Sequence, residues 1–552
     1  MKEKIVIIGG VAGGASAAAR LRRLSEECEI KIFERGDYIS YANCGLPYHI
    51  GGAIPDRRAL LLQTPQRMKE RYNVDVKVHH EVTQILPQEK KVKIRDLTSG
   101  QEFFESYDKL VIATGSSPIV PPIPGIDLPG IFQVWTVPDT DRIKEYLAEH
   151  PIKRAAVIGG GFIGLEMAEN LHALGLDVSI VEMADQVMAP LDYEMAKLLH
   201  SNIQKNNVSL LLGDGVKEFQ KTQEGLRIVL ASGAALETDM VILAIGVRPN
   251  SKIAADAGIA LNARGGIIVD AGMRTGIQDI FAVGDVVEVE DFVDGERTMI
   301  PLAGPANKQG RLAADNLLGA REEYAGTQGT SIAKVFDLCA AATGHNEKQL
   351  QKQGKIKGKD YDTVMIVQNS HATYYPGAKQ MFLKLIYEMD TGRLLGGQAV
   401  GSDGVDKRID ALSIAMRFGG GVDDLTRLEI AYAPPFASAK DAVNMLGFVA
   451  QNARRGLVKF VPWNITETKE ENMVLLDVRT PGEYAEFRIP GAVNIPLDEL
   501  RSRLGELERE KHYVVICAVG VRAYLAARIL SNNAFPQVSI YPGGMTYYRA
   551  IQ

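Results

Sequence analysis

The sequence predicts an α/β chain of several domains built mainly on parallel sheets, and three observations lead there. Two strand–glycine–helix units stand about 150 residues apart, and each is followed by a second strand ending in an acidic residue. Glycine supplies 54 of the 552 residues with no collagen period, so the backbone must come close to something at several places. Residues 467–552 repeat a strand–helix alternation on a smaller scale. At roughly 150 residues per domain, the length asks for three or four domains rather than one core.

The first unit runs from a buried strand, Ile5-Val6-Ile7-Ile8, through the turn Gly9-Gly10-Val11-Ala12-Gly13-Gly14 into a helix from Ala15 to Leu24. Strand Ile30-Lys31-Ile32-Phe33 then ends at Glu34. A secretory signal is the competing reading, because Lys2-Glu3-Lys4 precedes an apolar, small-residue run to Ala19. The nucleotide-unit reading is preferred, since cleavage would delete the turn.

In the second unit, Ala155-Ala156-Val157-Ile158 leads into Gly159-Gly160-Gly161-Phe162-Ile163-Gly164, and Val178-Ser179-Ile180-Val181 ends at Glu182. Gly9, Gly10, Ala12 and Gly14, and likewise Gly159, Gly161, Ile163 and Gly164, let backbone touch a pyrophosphate at a helix N-terminus. Glu34 and Glu182, about 20 residues on, accept ribose hydroxyls. One such turn is weak evidence; two in register, each with its acid, are strong. Val11 takes the place of the middle glycine, a departure from the pattern in the first copy. Strands at 107–115 and 239–246 run into glycine turns, the former through Thr114 and Gly115, and TGIQDIFAVGD ends in Gly284-Asp285.

Charge narrows the ligands. A net charge of −6, with no basic block beyond pairs such as Arg22-Arg23, Arg57-Arg58 and Arg454-Arg455, argues against nucleic acid or an anionic membrane as partner. No run of about 18 uncharged apolar residues asks for a bilayer. Four cysteines are too few for a disulfide framework, so a cytoplasmic, reducing setting is expected, and no metal is expected.

The order of these motifs resembles the pyridine nucleotide-disulfide oxidoreductase family. The resemblance implies two Rossmann-like domains: FAD at 1–112 and 250–322, and NAD(P)H at 113–249. An α+β dimerisation domain at 323–447, containing the alternating stretch Met381–Tyr387 and a helix after Asp403, would pair two subunits into a homodimer. It also implies that Asp285 meets the ribityl chain of FAD, with Arg35, Val82, Thr114, Gly115 and Ala303 completing that site. Residues 448–466, with Arg454-Arg455-Gly456 and Pro462, are read as a linker. At 467–552, DVRTPGEYAEFRIPGAVNIPL and CAVGVR resemble a rhodanese domain, with Asp477 and Arg488 as structural supports.

Cys44 carries the redox argument. A dithiol reductase needs a second Cys about four residues on, and that place holds Tyr48, so Cys44 must cycle through an outside partner: a mixed disulfide, a persulfide or a sulfenic acid. Alone it would be read as a buried structural thiol. The string SYANCGLPYHIGG resembles the coenzyme A-disulfide reductases, with Tyr41 and His49 as departures. That resemblance implies a coenzyme A site of Ser16, Arg20, Arg23, Ser40 and Asn43. It further implies that Asn307, Lys440, Tyr374 and Tyr432 come from the partner subunit, the two tyrosines as proton donors to a departing thiolate. Cys517, at a strand end and in C-x4-R spacing with Arg522, forms a loop sized for a persulfide rather than a phosphate.

The expectation is therefore an FAD-dependent coenzyme A-disulfide reductase with a sulfurtransferase-like C-terminal domain. Glu182, followed by Met183-Ala184 without an Arg, predicts NADH over NADPH, with NADPH still possible as donor. The alternative is a coenzyme A persulfide or polysulfide reductase. An NADH peroxidase or oxidase, and a non-catalytic sulfur carrier, rank below both.

Overall fold

Ile5, Val6 and Ile7 are wholly buried, as a central parallel strand requires, and each fully buried aliphatic side chain contributes about 1.5–3 kcal/mol. In the computed structural model, which describes residues 2–468 and 472–552, they lie in strand Lys4–Ile8. That strand is the middle of a five-stranded parallel sheet ordered Ile280–Ala282, Lys109–Ile112, Lys4–Ile8, Glu29–Phe33, Asp75–Lys77. The second sheet repeats the plan: Arg154–Ile158 pairs in parallel with Asp177–Glu182 on one side and Met240–Leu243 on the other, and Ile131–Gln133 follows.

The helix after the first turn begins at Ala12, three residues earlier than the expected Ala15. The reason lies in the glycines. Only Gly9 is left-handed, at φ +98°, and a Cβ there would stand 2.2 Å from the Ala113 carbonyl oxygen. Gly13 and Gly14 are already helical, and a Cβ on Gly14 would meet the Gly9 oxygen at 2.0 Å. The second unit repeats these contacts, Gly159 against Ala244 and Gly164 against Gly159. Val11 fits because its place needs no positive φ: Val11 has φ −93° and its counterpart Gly161 −80°.

The described residues form two compact units: those up to Asp185 together with Leu211–Gly329, and Gln186–Leu210 together with Thr330–Gln552. The first unit holds both nucleotide-type sheets. In the second, a five-stranded antiparallel sheet runs Ser331–Val335, Leu338–Gly344, Leu394–Gly401, Gln380–Glu388, Tyr361–Asn369. The alternating stretch Met381–Tyr387 is buried on both faces, Lys384 included. Its ammonium is enclosed by Asp192 at 2.8 Å, Glu347 at 2.5 Å and Glu194. Burial alone would lower the Lys384 pKa; the three carboxylates overcome it and raise it, keeping the charge. A four-stranded parallel sheet, Val493–Asn494, Met473–Asp477, His512–Ile516, Val538–Ile540, forms the C-terminal domain of the same unit.

The linker expectation needs correction. Helix Ala442–Arg454 runs through residue 448, ends before Gly456 at φ +70°, and Val458 lies in the core of the C-terminal domain. Phe460 bridges Ile540, while the Val461 N–H donates to the Ile540 oxygen and the Ile540 N–H to the Lys459 oxygen. The Gly and Pro signals at 454–462 mark the end of a helix and an added sheet edge, not a flexible tether. The C-terminal helix Gly544–Ala550 also reaches back, its Tyr547 hydroxyl donating to the Glu194 carbonyl at 2.9 Å.

Candidate functional site

Both glycine turns end in helices without a side-chain cap, so the first N–H groups of Ala12–Leu24 and Phe162–Ala173 remain available to an anion. Each acid closes its own turn. The Glu34 carboxylate accepts from the N–H of Gly10 and of Gly36, both at 2.8 Å; Glu182 accepts from Gly160 at 2.6 Å and Ala184 at 2.8 Å. Next to Gly161 a Cβ would meet nothing within 4 Å, and the same holds for Gly115, at φ +62°. Open space beside uncapped N–H groups and an oriented carboxylate is a cradle that fits a dinucleotide in each domain.

The other residues expected to hold the flavin fall on several elements of the first unit. The Thr114 hydroxyl donates to the Asn250 carbonyl at 2.7 Å, and Arg35 reaches the Ser117 hydroxyl at 3.3 Å. Val82 is buried in strand His80–Leu86, and Ala303 opens helix Ala303–Leu317. Asp285 accepts from the Ser116 hydroxyl at 2.9 Å, and its burial pushes the carboxyl up. Ser116, unnoticed in the sequence, is the partner that offsets part of that burial.

Cys44 stands in the short turn Asn43–Gly45, exposed, ahead of helix Leu46–Ile50. Cys28, Cys44 and Cys517 are free. Ser40 is left-handed at φ 44°, a conformation unusual for serine, and its N–H donates to the Gly10 carbonyl, tying the Cys44 segment to the first turn. Asn43 Nδ2 and the Tyr41 hydroxyl both donate to the Trp135 carbonyl, at 3.1 and 3.2 Å. The departing His49 is buried with its Nδ1 2.6 Å from the Ile54 oxygen, a structural placement.

Glu166 is the residue sequence reasoning missed. It projects from helix Phe162–Ala173, which follows the second glycine turn, and accepts the Tyr48 hydroxyl at 3.2 Å. Burial pushes its carboxyl up to about 7, against the opposing Tyr48 hydrogen bond. Restricted solvation raises the Cys44 thiol pKa first, and the charges of Glu166 and Asp285 raise it further. The one sequence signal was an acid two residues past Gly164, on the helix that the turn opens.

The coenzyme A set is only partly brought together. The Ser16 hydroxyl donates to Asn307 Oδ1 at 2.5 Å, so Asn307 belongs beside Ser16 in its own chain, not to a partner-subunit segment as expected. Helices Ala12–Leu24 and Ala303–Leu317 pack together, and that contact joins two residues 291 positions apart. Arg20 is held by Asp315, Nε at 2.9 Å and Nη2 at 2.6 Å, and Arg23 is exposed three residues on. Tyr374 and Tyr432, both exposed, meet hydroxyl to hydroxyl at 2.7 Å, a bond that raises the Tyr374 pKa; Lys440 is exposed.

Cys517 is buried directly after strand His512–Ile516, and the Gly520 N–H donates to its sulfur at 3.1 Å. Arg522 is paired with Glu483, both bonds at 2.7 Å. Asp477 is wholly buried and pairs with Arg479, while Arg488 lies over the Tyr484 ring.

Two dinucleotide cradles, a lone accessible cysteine between them in the chain and a second cysteine in a separate sulfur-type loop define a flavin- and pyridine-nucleotide-dependent sulfur oxidoreductase. A family model described as pyridine nucleotide-disulphide oxidoreductase matches residues 3–310, its dimerisation domain residues 330–443, and a rhodanese-like domain residues 463–551. The chain belongs to the pyridine nucleotide-disulphide oxidoreductase family, whose members depend on FAD and use NAD(P)H, and it carries a C-terminal rhodanese domain.

A coenzyme A disulfide reductase of Staphylococcus epidermidis is 36% identical over 449 residues, 81% of this chain and 100% of that protein. The crystal structure of reduced CoADR-RHD from Bacillus anthracis is 48% identical with a TM-score of 0.96, covering 100% of this chain and 98% of that one. An NAD-dependent persulfide reductase from A. fulgidus is 38% identical with a TM-score of 0.93, covering 99% and 100%. No helix among the described residues is long and apolar enough to cross a membrane.

Proposed function

We propose that the protein is an NADH-dependent coenzyme A-disulfide reductase acting as a homodimer, and that Cys44 is its redox thiol. The observation that carries this is Cys44 itself: accessible, unpaired, and held by the Ser40 and Asn43 contacts next to the first dinucleotide turn. In this reading Gly9 to Gly14, Glu34 and Asp285 hold FAD, and Gly159 to Gly164 and Glu182 hold the nicotinamide nucleotide. FAD would supply acceptance of hydride from NADH and return of two electrons to sulfur.

The chain's own groups perform the thiol steps. The Cys44 thiolate attacks one sulfur of coenzyme A disulfide, the S–S bond breaks, and one coenzyme A leaves as thiolate; the mixed disulfide on Cys44 is then reduced and the second leaves. The sum is one disulfide, one NADH and one proton giving two thiols and NAD⁺. Ser16, Arg23, Ser40, Asn43, Asn307 and Lys440 bind the coenzyme A, with Arg23 better placed for a phosphate than the neutralised Arg20. The Tyr374–Tyr432 pair donates the proton to the departing thiolate. The domain limits expected from the sequence, apart from the linker, are retained as part of this reading.

A second reading has its own support. Cys517 keeps its loop geometry, and the persulfide reductase is similar over nearly the full length, so coenzyme A persulfide, with sulfide leaving, is the alternative substrate. Steady-state rates of NADH oxidation with coenzyme A disulfide, coenzyme A persulfide and polysulfide test both. The main reading expects the highest kcat/KM for the disulfide; a disulfide rate at background with fast persulfide turnover would replace it by the second.

A further inference from the structure

The cation that closes the C-terminal loop is already paired with a carboxylate. Both Arg522 terminal nitrogens are engaged, Nη1 with Glu483 Oε2 and Nη2 with Oε1, at 2.7 Å each, the parallel geometry that binds a guanidinium most specifically. Glu483 is fixed from the other side as well. It occupies the third position of helix Pro481–Glu486, and its Oε2 accepts from the Thr480 N–H and hydroxyl, both at 3.0 Å. The Arg522 guanidinium keeps the Glu483 carboxyl down at about 2, so the pair stays ionised at neutral pH.

The other charges around Cys517 also cancel. Arg479, buried, spends its donors on Asp477 at 2.7 to 3.0 Å and on the Phe487 carbonyl. Ala518, Val519, Gly520 and Val521 bring no charge to the loop, and Arg488 is exposed beyond the end of the Pro481–Glu486 helix, over Tyr484. Backbone N–H groups such as that of Gly520 are then the main support for an anion on the sulfur. Dipoles of this kind hold one negative charge; a second one arriving with the substrate needs a cation.

We infer that Glu483 sets the sulfur-donor specificity of Cys517, neutralising Arg522 so that monoanionic thiol persulfides are accepted and the thiosulfate dianion is refused. With a persulfide donor, the Cys517 thiolate attacks the terminal sulfur, the donor S–S bond breaks, and its electron pair leaves on the donor thiolate, which takes a proton from water. Charge is conserved, two monoanions giving two. With thiosulfate the same attack would expel sulfite, a dianion, past a site whose side-chain charges sum to zero. The inference rests on the reading that this domain transfers sulfane sulfur.

The test uses the full-length holoprotein and follows, by intact mass, the rate at which Cys517 gains one sulfur atom from cysteine persulfide, a net monoanion, or from thiosulfate; Cys517→Ala sets the background. The wild type is expected to load from the persulfide about 100-fold faster or more, and Glu483→Gln, which keeps a hydrogen-bonding group at the cap, to shift the ratio at least tenfold toward thiosulfate. Damage to the fold alone would slow both donors together and leave the ratio where it was. Val521→Lys, at the exposed first position of helix Val521–Asn532, adds a cation without touching the pair and is expected to move the ratio the same way. Equal loading by the wild type, or a ratio that neither variant moves, overturns the specificity assignment. Failure of Cys517 to load from either donor instead overturns the sulfur-transfer reading beneath it.

Discussion

A carboxylate beside a redox thiol opposes the thiolate, and Glu166 occupies that place. Its charge and that of Asp285 add to the restricted solvation that already raises the Cys44 pKa. Glu166→Gln removes one anion, so the pH midpoint for alkylation of Cys44 by iodoacetamide is expected to move downward; an unmoved midpoint would show that the carboxylate does not reach the thiol. Because Glu166 itself titrates at about 7, the repulsion is relieved as pH falls through neutrality and is full above it. Cys44 was legible in the sequence because its own neighbours carry the pattern, and Cys517 for the same reason. Glu166, Ser116 and Glu483 were not: each acts on a residue that only the fold brings near, 118 positions from Tyr48, 169 from Asp285 and 39 from Arg522. Arg20 shows the converse, since no local pattern announced Asp315.

At the scale of elements, the duplicated turn is fixed by contacts without slack. A Cβ on Gly164 would lie 1.9 Å from the Gly159 oxygen, so Gly164→Ala must displace the strand from its helix. The expected result is loss of NADH-dependent flavin bleaching with FAD still bound, read by absorbance. Glu182→Arg tests the ribose reading: the ratio of kcat/KM for NADPH over NADH should rise about tenfold or more, and an unchanged ratio would dismiss it. The antiparallel sheet depends on Lys384, whose burial is tolerated only because three carboxylates surround it. Lys384→Ala is expected to cost about 3–5 kcal/mol in chemical unfolding by stranding those charges. Glu347, lowered by Lys384 despite its burial, contributes stability above the usual carboxylate range that is lost as pH falls through its depressed pKa. The sequence pattern marked this strand but not its neighbours, because Asp192 and Glu194 come from a segment of the chain that follows the second nucleotide strand.

Over the whole molecule, order of motifs was enough to lay out the nucleotide, dimerisation and rhodanese regions, while the joint between the last two was misjudged. Gly456 and Pro462 suggest a linker in sequence, yet Val458 and Phe460 complete the C-terminal domain. A fragment beginning at residue 456 should therefore melt several degrees higher than one beginning at 467; equal melting temperatures would restore the tether. The two cysteines remain chemically separable: Cys517→Ala should abolish sulfur transfer and leave NADH-dependent disulfide reduction within about twofold. The most direct test of the account is a thiol count in a single turnover. Holoprotein reduced with one equivalent of NADH and mixed with coenzyme A disulfide should release two coenzyme A thiols per NADH, while Cys44→Ser, still bleached by NADH, should release none; thiol release by the Cys44→Ser protein would contradict it.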